Sequence, residues 1–168
     1  MFDSCVLGVD PGLTRVGLAA VARSRRHLEI LFAALVRTPV ESSEPDRLRS
    51  IHAAVREAIA EHHPGAVAVE RVAWNRNQKS ALHVARATGV VLLAASEAGL
   101  PVEEYGPLEV KMAVTGQGNA DKAQVRDALS RLHGLADVPT QPDAADAVAV
   151  ALCHLTQLRL RGVARLAT

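Results

Sequence analysis

The stretch Val6–Gly17 constrains this chain more than any other. It opens as a short apolar run, places Asp10 at its end, breaks at Pro11 and Gly12, and gives way to a second apolar run from Val16 to Ala22. A Pro-Gly break between two such runs turns the backbone round, so the second strand pairs antiparallel with the first and Asp10 stands at a strand end. Apolar residues anchor it from behind, and glycine ahead of it lets a phosphate come close to the backbone. A carboxylate held in this way is a metal or phosphate position, or else it caps a hairpin turn. Short Asp-Gly motifs do not separate the two. The remaining chain decides, according to whether it supplies partners for Asp10.

His27 to Val36 reads as a third strand, joined to the second by an arginine-rich turn. Ser43 to Asp46, with Pro45 in the first turn, starts a helix whose apolar stripe is Leu48, Ile51, Val55, Ala58, Ile59 and His62. His62 and His63 end it and read as surface residues. Ala66 to Val69 is a continuous apolar run after a helix, which predicts a buried strand parallel to the first. It ends on Glu70. In an open sheet ligands sit beyond the carboxyl ends of parallel strands, so Asp10 and Glu70 are expected to face one crevice.

Arg71 to Lys79 is a polar, basic loop carrying Trp74, the only tryptophan, and Arg76. A helix is expected from Ser80 to Ala98, apolar almost all round between Ala87 and Ala95, with a small-residue stripe at Ala81, Ala85 and Gly89. Such a helix needs cover on two sides, from its own chain or from a second subunit. Pro101 to Tyr105 reads as a short strand, Leu108 to Val114 as a small helix, and Thr115 to Ala120 as a flexible glycine loop leading into a helix from Asp121 to Leu132. The last helix opens on Asp143 and Asp146, whose spacing of three puts them on one face. Acids in a first turn also complement the helix dipole, which is their structural explanation. Arg159 to Thr168 reads as a basic, mobile tail after a single domain spanning residues 1–158.

With 168 residues, 49% of them hydrophobic, the chain has enough material for one good core. No apolar run approaches the roughly 18 residues of a membrane span, and the first seven residues do not make a signal peptide, so the expectation is a soluble cytoplasmic protein with no membrane partner. Cys5 and Cys153 lie in apolar contexts without metal-ligand spacing and read as buried reduced thiols. Nineteen Lys and Arg against 18 Asp and Glu give a net charge of +1, which argues neither for nor against nucleic acid. Basic residues do gather, however: Arg23, Arg25 and Arg26; Arg71, Arg76, Lys79 and Arg86; Lys111, Lys122, Arg126 and Arg131. Each group also reads as an ordinary solvated face.

Asp10, Glu70, Asp143 and Asp146 are the acids placed at core strand ends or at the start of an apolar helix. Gathered together they repel unless cations neutralise them, which implies oxygen-bound divalent metal, Mg²⁺ or Mn²⁺. Two such ions about 3.5 to 4 Å apart activate a water and stabilise the leaving oxygen in an in-line displacement at phosphorus. Lysines and arginines nearby, holding flanking phosphates, point to a nucleic-acid backbone as substrate.

These residues resemble a known family. Gly8-Val-Asp-Pro-Gly12, Val69-Glu70 followed by a polar loop and Ser80-Ala-Leu, Lys111 with Gly116 to Lys122, and Asp143-Ala-Ala-Asp146-Ala together look like the RuvC family of bacterial Holliday-junction resolvases. The likeness runs in register from about Val6 to His154. It implies an α/β ribonuclease-H-like fold: a mixed five-stranded sheet, three antiparallel strands then parallel ones, flanked by helices. It further implies a homodimer with one two-metal Mg²⁺ site per subunit, and nicking of two like-polarity strands at four-way junction DNA in recombination and repair. By the same likeness Asp10, Glu70, Asp143 and Asp146 hold the metals, Lys111 and Lys122 contact phosphates, and a branch-migration helicase complex is a partner.

One position departs from the family. Its members usually carry an aromatic residue three positions after the catalytic Glu, where this chain has Ala73. Trp74 is next door, and an indole there can stack on an unpaired base, worth about 1 to 3 kcal/mol; packing of Trp74 on its own subunit is the alternative. Three rivals follow from the residues themselves. A ribonuclease-H-like nuclease acting on RNA or another branched nucleic acid would use the same metals. An actin-like ATPase shares the Asp-x-Gly loop but needs two domains around its nucleotide, and an inactive junction binder gains nothing from four acids facing phosphates.

Overall fold

The computed structural model describes residues 4–24, 27–71 and 78–166, with side chains described except at 78–80 and 159–166. Among the described residues five strands and five helices follow one another as β1 (Ser4–Asp10), β2 (Arg15–Arg23), β3 (Leu28–Arg37), α1 (Glu44–His62), β4 (Ala66–Glu70), α2 (Gln78–Glu97), β5 (Val102–Tyr105), α3 (Pro107–Thr115), α4 (Lys122–Arg131) and α5 (Pro142–Leu166). The sheet order is β3-β2-β1-β4-β5. β1 pairs antiparallel with β2 and β2 with β3, whereas β4 runs parallel to β1 and β5 parallel to β4. This mixed sheet is the one expected.

Alternation along the strands sorts their residues onto two faces. Leu7, Val9, Val16, Leu18, Val67 and Val69 form one core with Ile51 and Val55 of α1 and Ala87, Val91 and Ala94 of α2. The opposite face carries smaller residues, Val6, Ala19, Val21 and Ala68, under α5, α3 and α4. Small residues let α5 lie directly on the strands. A methyl group on Gly8 would overlap the Ala147 carbonyl, and one on Gly17 would overlap the Asp143 carbonyl. Volume is what makes these two positions glycine, and it fixes the height of α5 above the sheet.

Local signals set the helix starts. Ser43 accepts a bond from Asp46 N–H at 3.3 Å at the head of α1. Asp121 and Gln124 cap α4 reciprocally, each side chain accepting from the other's backbone N–H at 2.8 Å. Three expectations need correction. His62 is 13% exposed and stacks on Phe32 with ring centroids 4.7 Å apart, because it continues the buried stripe of α1 rather than turning to solvent. Thr115 to Ala120 is an ordered turn in which Thr115 Oγ1 accepts from Gln117 N–H at 3.0 Å, and Ala120 is buried. α5 runs on to Leu166, past the point at which the sequence reading begins a tail.

Candidate metal centre

Register brings the first two acids together. Val9 lies opposite Val69 in the parallel pair, so the next residues, Asp10 and Glu70, end their strands side by side. Counting along each strand places both on the α5 face, with Gly8, Gly17 and Arg15. α5 crosses this face with Asp143 and Asp146 in its first turns, held there by the contact of Gly17 with Asp143. One carboxylate oxygen from each of Asp10, Asp143 and Asp146 lies within 4.8 Å of the others.

Crowding changes their chemistry. Desolvation, then the charges of Glu70 and Asp146, push Asp10 up to about 8, and its hydrogen bond with Glu70 and the charge of Asp143 act in the same direction. Glu70 is also raised by desolvation; the hydrogen bond it accepts from Asp10 and the charges of Lys122 and Lys111 oppose the rise. Without a cation the pair therefore holds a proton between Asp10 and Glu70. The donors are all carboxylate oxygens, the set that hard divalent ions select.

Cations of the chain line the rim. Lys122, the first residue of α4, sits 2.5 Å from Asp146 Oδ2, a bond that raises its own pKa. Glu70, Lys111, Lys122 and Asp146 line one cleft of about 250 Å³ with Pro107, Val110, Val125 and Ala149. Lys111 and Lys122 thus line the same cleft as Glu70 and Asp146, one from α3 and one from α4. Arg15 Nε lies 3.3 Å from Asp143 Oδ2. Nothing in the sequence alone marks Arg15: its signal is the even count to Gly17, which becomes informative only with α5 lying on that face.

Other basic residues are committed elsewhere. Arg86 binds both Glu44 carboxylate oxygens at 2.8 Å across α1 and α2, Arg71 donates to the Glu104 carbonyl, Arg131 pairs with Asp127, and Arg23 donates to the Leu155 carbonyl. Trp74 and Arg76 lie outside the described residues, as does Ala73. Cys5 and Cys153 are unpaired thiols; burial pushes Cys153 up to about 12, so it is inert.

An oxygen-only acidic centre at the carboxyl ends of β1 and β4, beneath the first turns of α5, is the framework of a ribonuclease-H-like nuclease. The family model for "Crossover junction endodeoxyribonuclease RuvC" matches residues 6–154. A protein of that name from Syntrophomonas wolfei subsp. wolfei is 41% identical over 155 residues, 92% of this chain and 90% of the relative. Its namesake from Mycobacterium ulcerans is 47% identical over 150 residues, 89% of this chain and 82% of the relative. Thermus thermophilus RuvC, solved in complex with Holliday junction substrate, superposes with a TM-score of 0.87 at 39% identity, covering 94% of this chain and 96% of that one. The chain belongs to the RuvC family of crossover junction endodeoxyribonucleases.

Proposed function

We propose that Asp10, Glu70, Asp143 and Asp146 are the catalytic, metal-holding set of a Holliday-junction resolvase, with Lys111 and Lys122 as its phosphate contacts. The convergence of three aspartate oxygens within 4.8 Å, with Glu70 hydrogen-bonded to one of them, carries this reading. The donor chemistry fits divalent metal. When bound, Mg²⁺ or Mn²⁺, two per site, supplies positive charge and Lewis acidity at the phosphodiester.

The chain's own groups bind and orient the strand. Lys122 at the N-terminus of α4 adds its ammonium to the positive end of a helix, and both favour phosphate. Lys111, which lines the same cleft from α3, adds a second ammonium to the strand's backbone. Displacement at phosphorus leaves 5′-phosphate and 3′-hydroxyl ends. Trp74, in the segment after Glu70, is assigned to base stacking at the junction centre and Arg76 to a nearby phosphate; junction binding and cleavage unchanged in Trp74→Ala would remove the first role.

The active form is a homodimer joined through α2, so that two sites nick two like-polarity strands. On α2 Leu82 is 51% exposed and Leu93 52%, with the exposed Ala85 and Gly89 between them, and a side chain at Gly89 would meet nothing within 4 Å. That apolar face is open to a second copy's α2. No helix among the described residues is long and apolar enough to cross a membrane. The setting proposed is the cytoplasm, on chromosomal junctions, with a branch-migration helicase complex as partner in recombination and repair.

Mapping the cuts tests the reading. Nicks placed symmetrically across a synthetic four-way junction and resealed by DNA ligase are expected, with linear duplex and RNA–DNA hybrid left intact. Cutting of the hybrid with the junction spared would move the substrate to RNA and leave the acidic centre in place.

A further inference from the structure

Two cations of the chain occupy carboxylates that the metal needs. Lys122 holds Asp146 and belongs to the phosphate contacts above; Arg15 holds Asp143 and has no role there. Its backbone is fixed. Arg15 opens β2, opposite Arg37, and the turn before it is tied down at several points: Thr38 N–H donates to the Thr14 carbonyl at 3.1 Å, Arg47 reaches Thr14 Oγ1 at 2.7 Å and Thr38 Oγ1 at 3.0 Å, and Thr38 Oγ1 donates to the Leu13 carbonyl. The Arg15 side chain, by contrast, is 56% exposed. A rigid base and an exposed guanidinium allow that side chain to leave Asp143 without disturbing the strand.

We propose that Arg15 is a positioning residue that couples metal loading to DNA: it competes with the metal for Asp143 and yields when a substrate phosphate takes its guanidinium. Arginine suits both partners, since its planar fork pairs with carboxylate and phosphate alike. Linkage makes the effect reciprocal. If DNA draws Arg15 from Asp143, DNA tightens metal binding, and metal tightens DNA binding by the same factor. Arg15 thus disfavours loading of the site before a strand is present. The inference rests on the metal-centre reading above.

The test is a calorimetric titration of full-length wild type, Arg15→Gln and Arg15→Lys with Ca²⁺, an oxygen-seeking probe of looser geometry than Mg²⁺, with and without four-way junction DNA. Without DNA, Arg15→Gln is expected to bind Ca²⁺ about fivefold more tightly than wild type, the scale of a partly exposed ion pair. Arg15→Lys is expected to return most of the way to wild type, and junction DNA to tighten Ca²⁺ more in wild type than in Arg15→Gln. Equal or weaker Ca²⁺ binding by Arg15→Gln without DNA, or equal tightening by the junction in both proteins, would overturn the inference while leaving the metal centre standing. Failure of wild type to bind Ca²⁺ at all, with or without DNA, would remove both.

Discussion

Gly17 of β2 lies against the carbonyl of Asp143, with no room between them for a methyl group. That contact sets where the first turn of α5 stands over the sheet, and with it where Asp143 and Asp146 meet Asp10. Gly17→Ala is therefore expected to destabilise the protein by about 1 to 3 kcal/mol, the usual range for overpacking, and to lower cleavage further by moving two acids at once. Thermal melts alongside junction cleavage check this; a variant that melts and cuts like wild type would mean that α5 shifts freely without loss.

Asp10 gives a pH signature. Its folded pKa is raised to about 8, so between the ordinary aspartate value and about 8 the folded protein holds a proton that the unfolded chain has lost. Stability of chelator-treated protein is therefore highest below that window, falls as pH rises through it and levels off above. Melting temperatures from about pH 5 to about pH 9 should show this fall in wild type and a flatter curve in Asp10→Asn, which carries no such proton. Saturating divalent metal should flatten the wild-type curve too.

Lys122 bonds Asp146 and lines the cleft with Lys111. Lys122→Gln removes the charge while keeping a shorter polar side chain, and is expected to lower single-turnover cleavage about 100-fold, the scale of losing one stabilising donor at the reacting centre. Its melting temperature should change little, since the ammonium is largely exposed. A cleavage rate within about twofold of wild type would remove Lys122 from the site.

The outer face of α2 predicts an oligomer. Leu93→Glu places a charge on the exposed apolar stripe without touching the core, so sedimentation should turn a dimer into a monomer whose circular dichroism is unchanged. A wild-type protein that sediments as a monomer at all concentrations would count against the proposed interface.

The acids were legible in the sequence because local pattern places them. Two apolar runs each stop at a carboxylate, Asp10 and Glu70, and a helix opens with Asp143 and Asp146 one turn apart. The Asp121 and Gln124 cap likewise puts Lys122 at a helix start. What could not be read depends on contacts between distant elements. Arg15 gains its meaning from α5 lying over Gly17, and Arg86 loses its apparent availability to Glu44, 42 positions earlier. A histidine at a helix end points to solvent by its polarity, whereas its place in the α1 stripe packs His62 against Phe32. The ordering of Thr115 to Ala120 comes from the Thr115 hydroxyl and from the close approach of Gly118 to Leu108, neither of which glycine content reveals.

The most direct test of the central claim is cleavage of a synthetic four-way junction by wild type and Asp146→Asn, each with Mg²⁺, with Mn²⁺ and with chelator. Paired nicks by wild type in either metal, none with chelator, and loss of cutting in Asp146→Asn with junction binding retained are expected. Cutting that persists in chelator, or in Asp146→Asn at the wild-type rate, would contradict a metal centre built on these carboxylates.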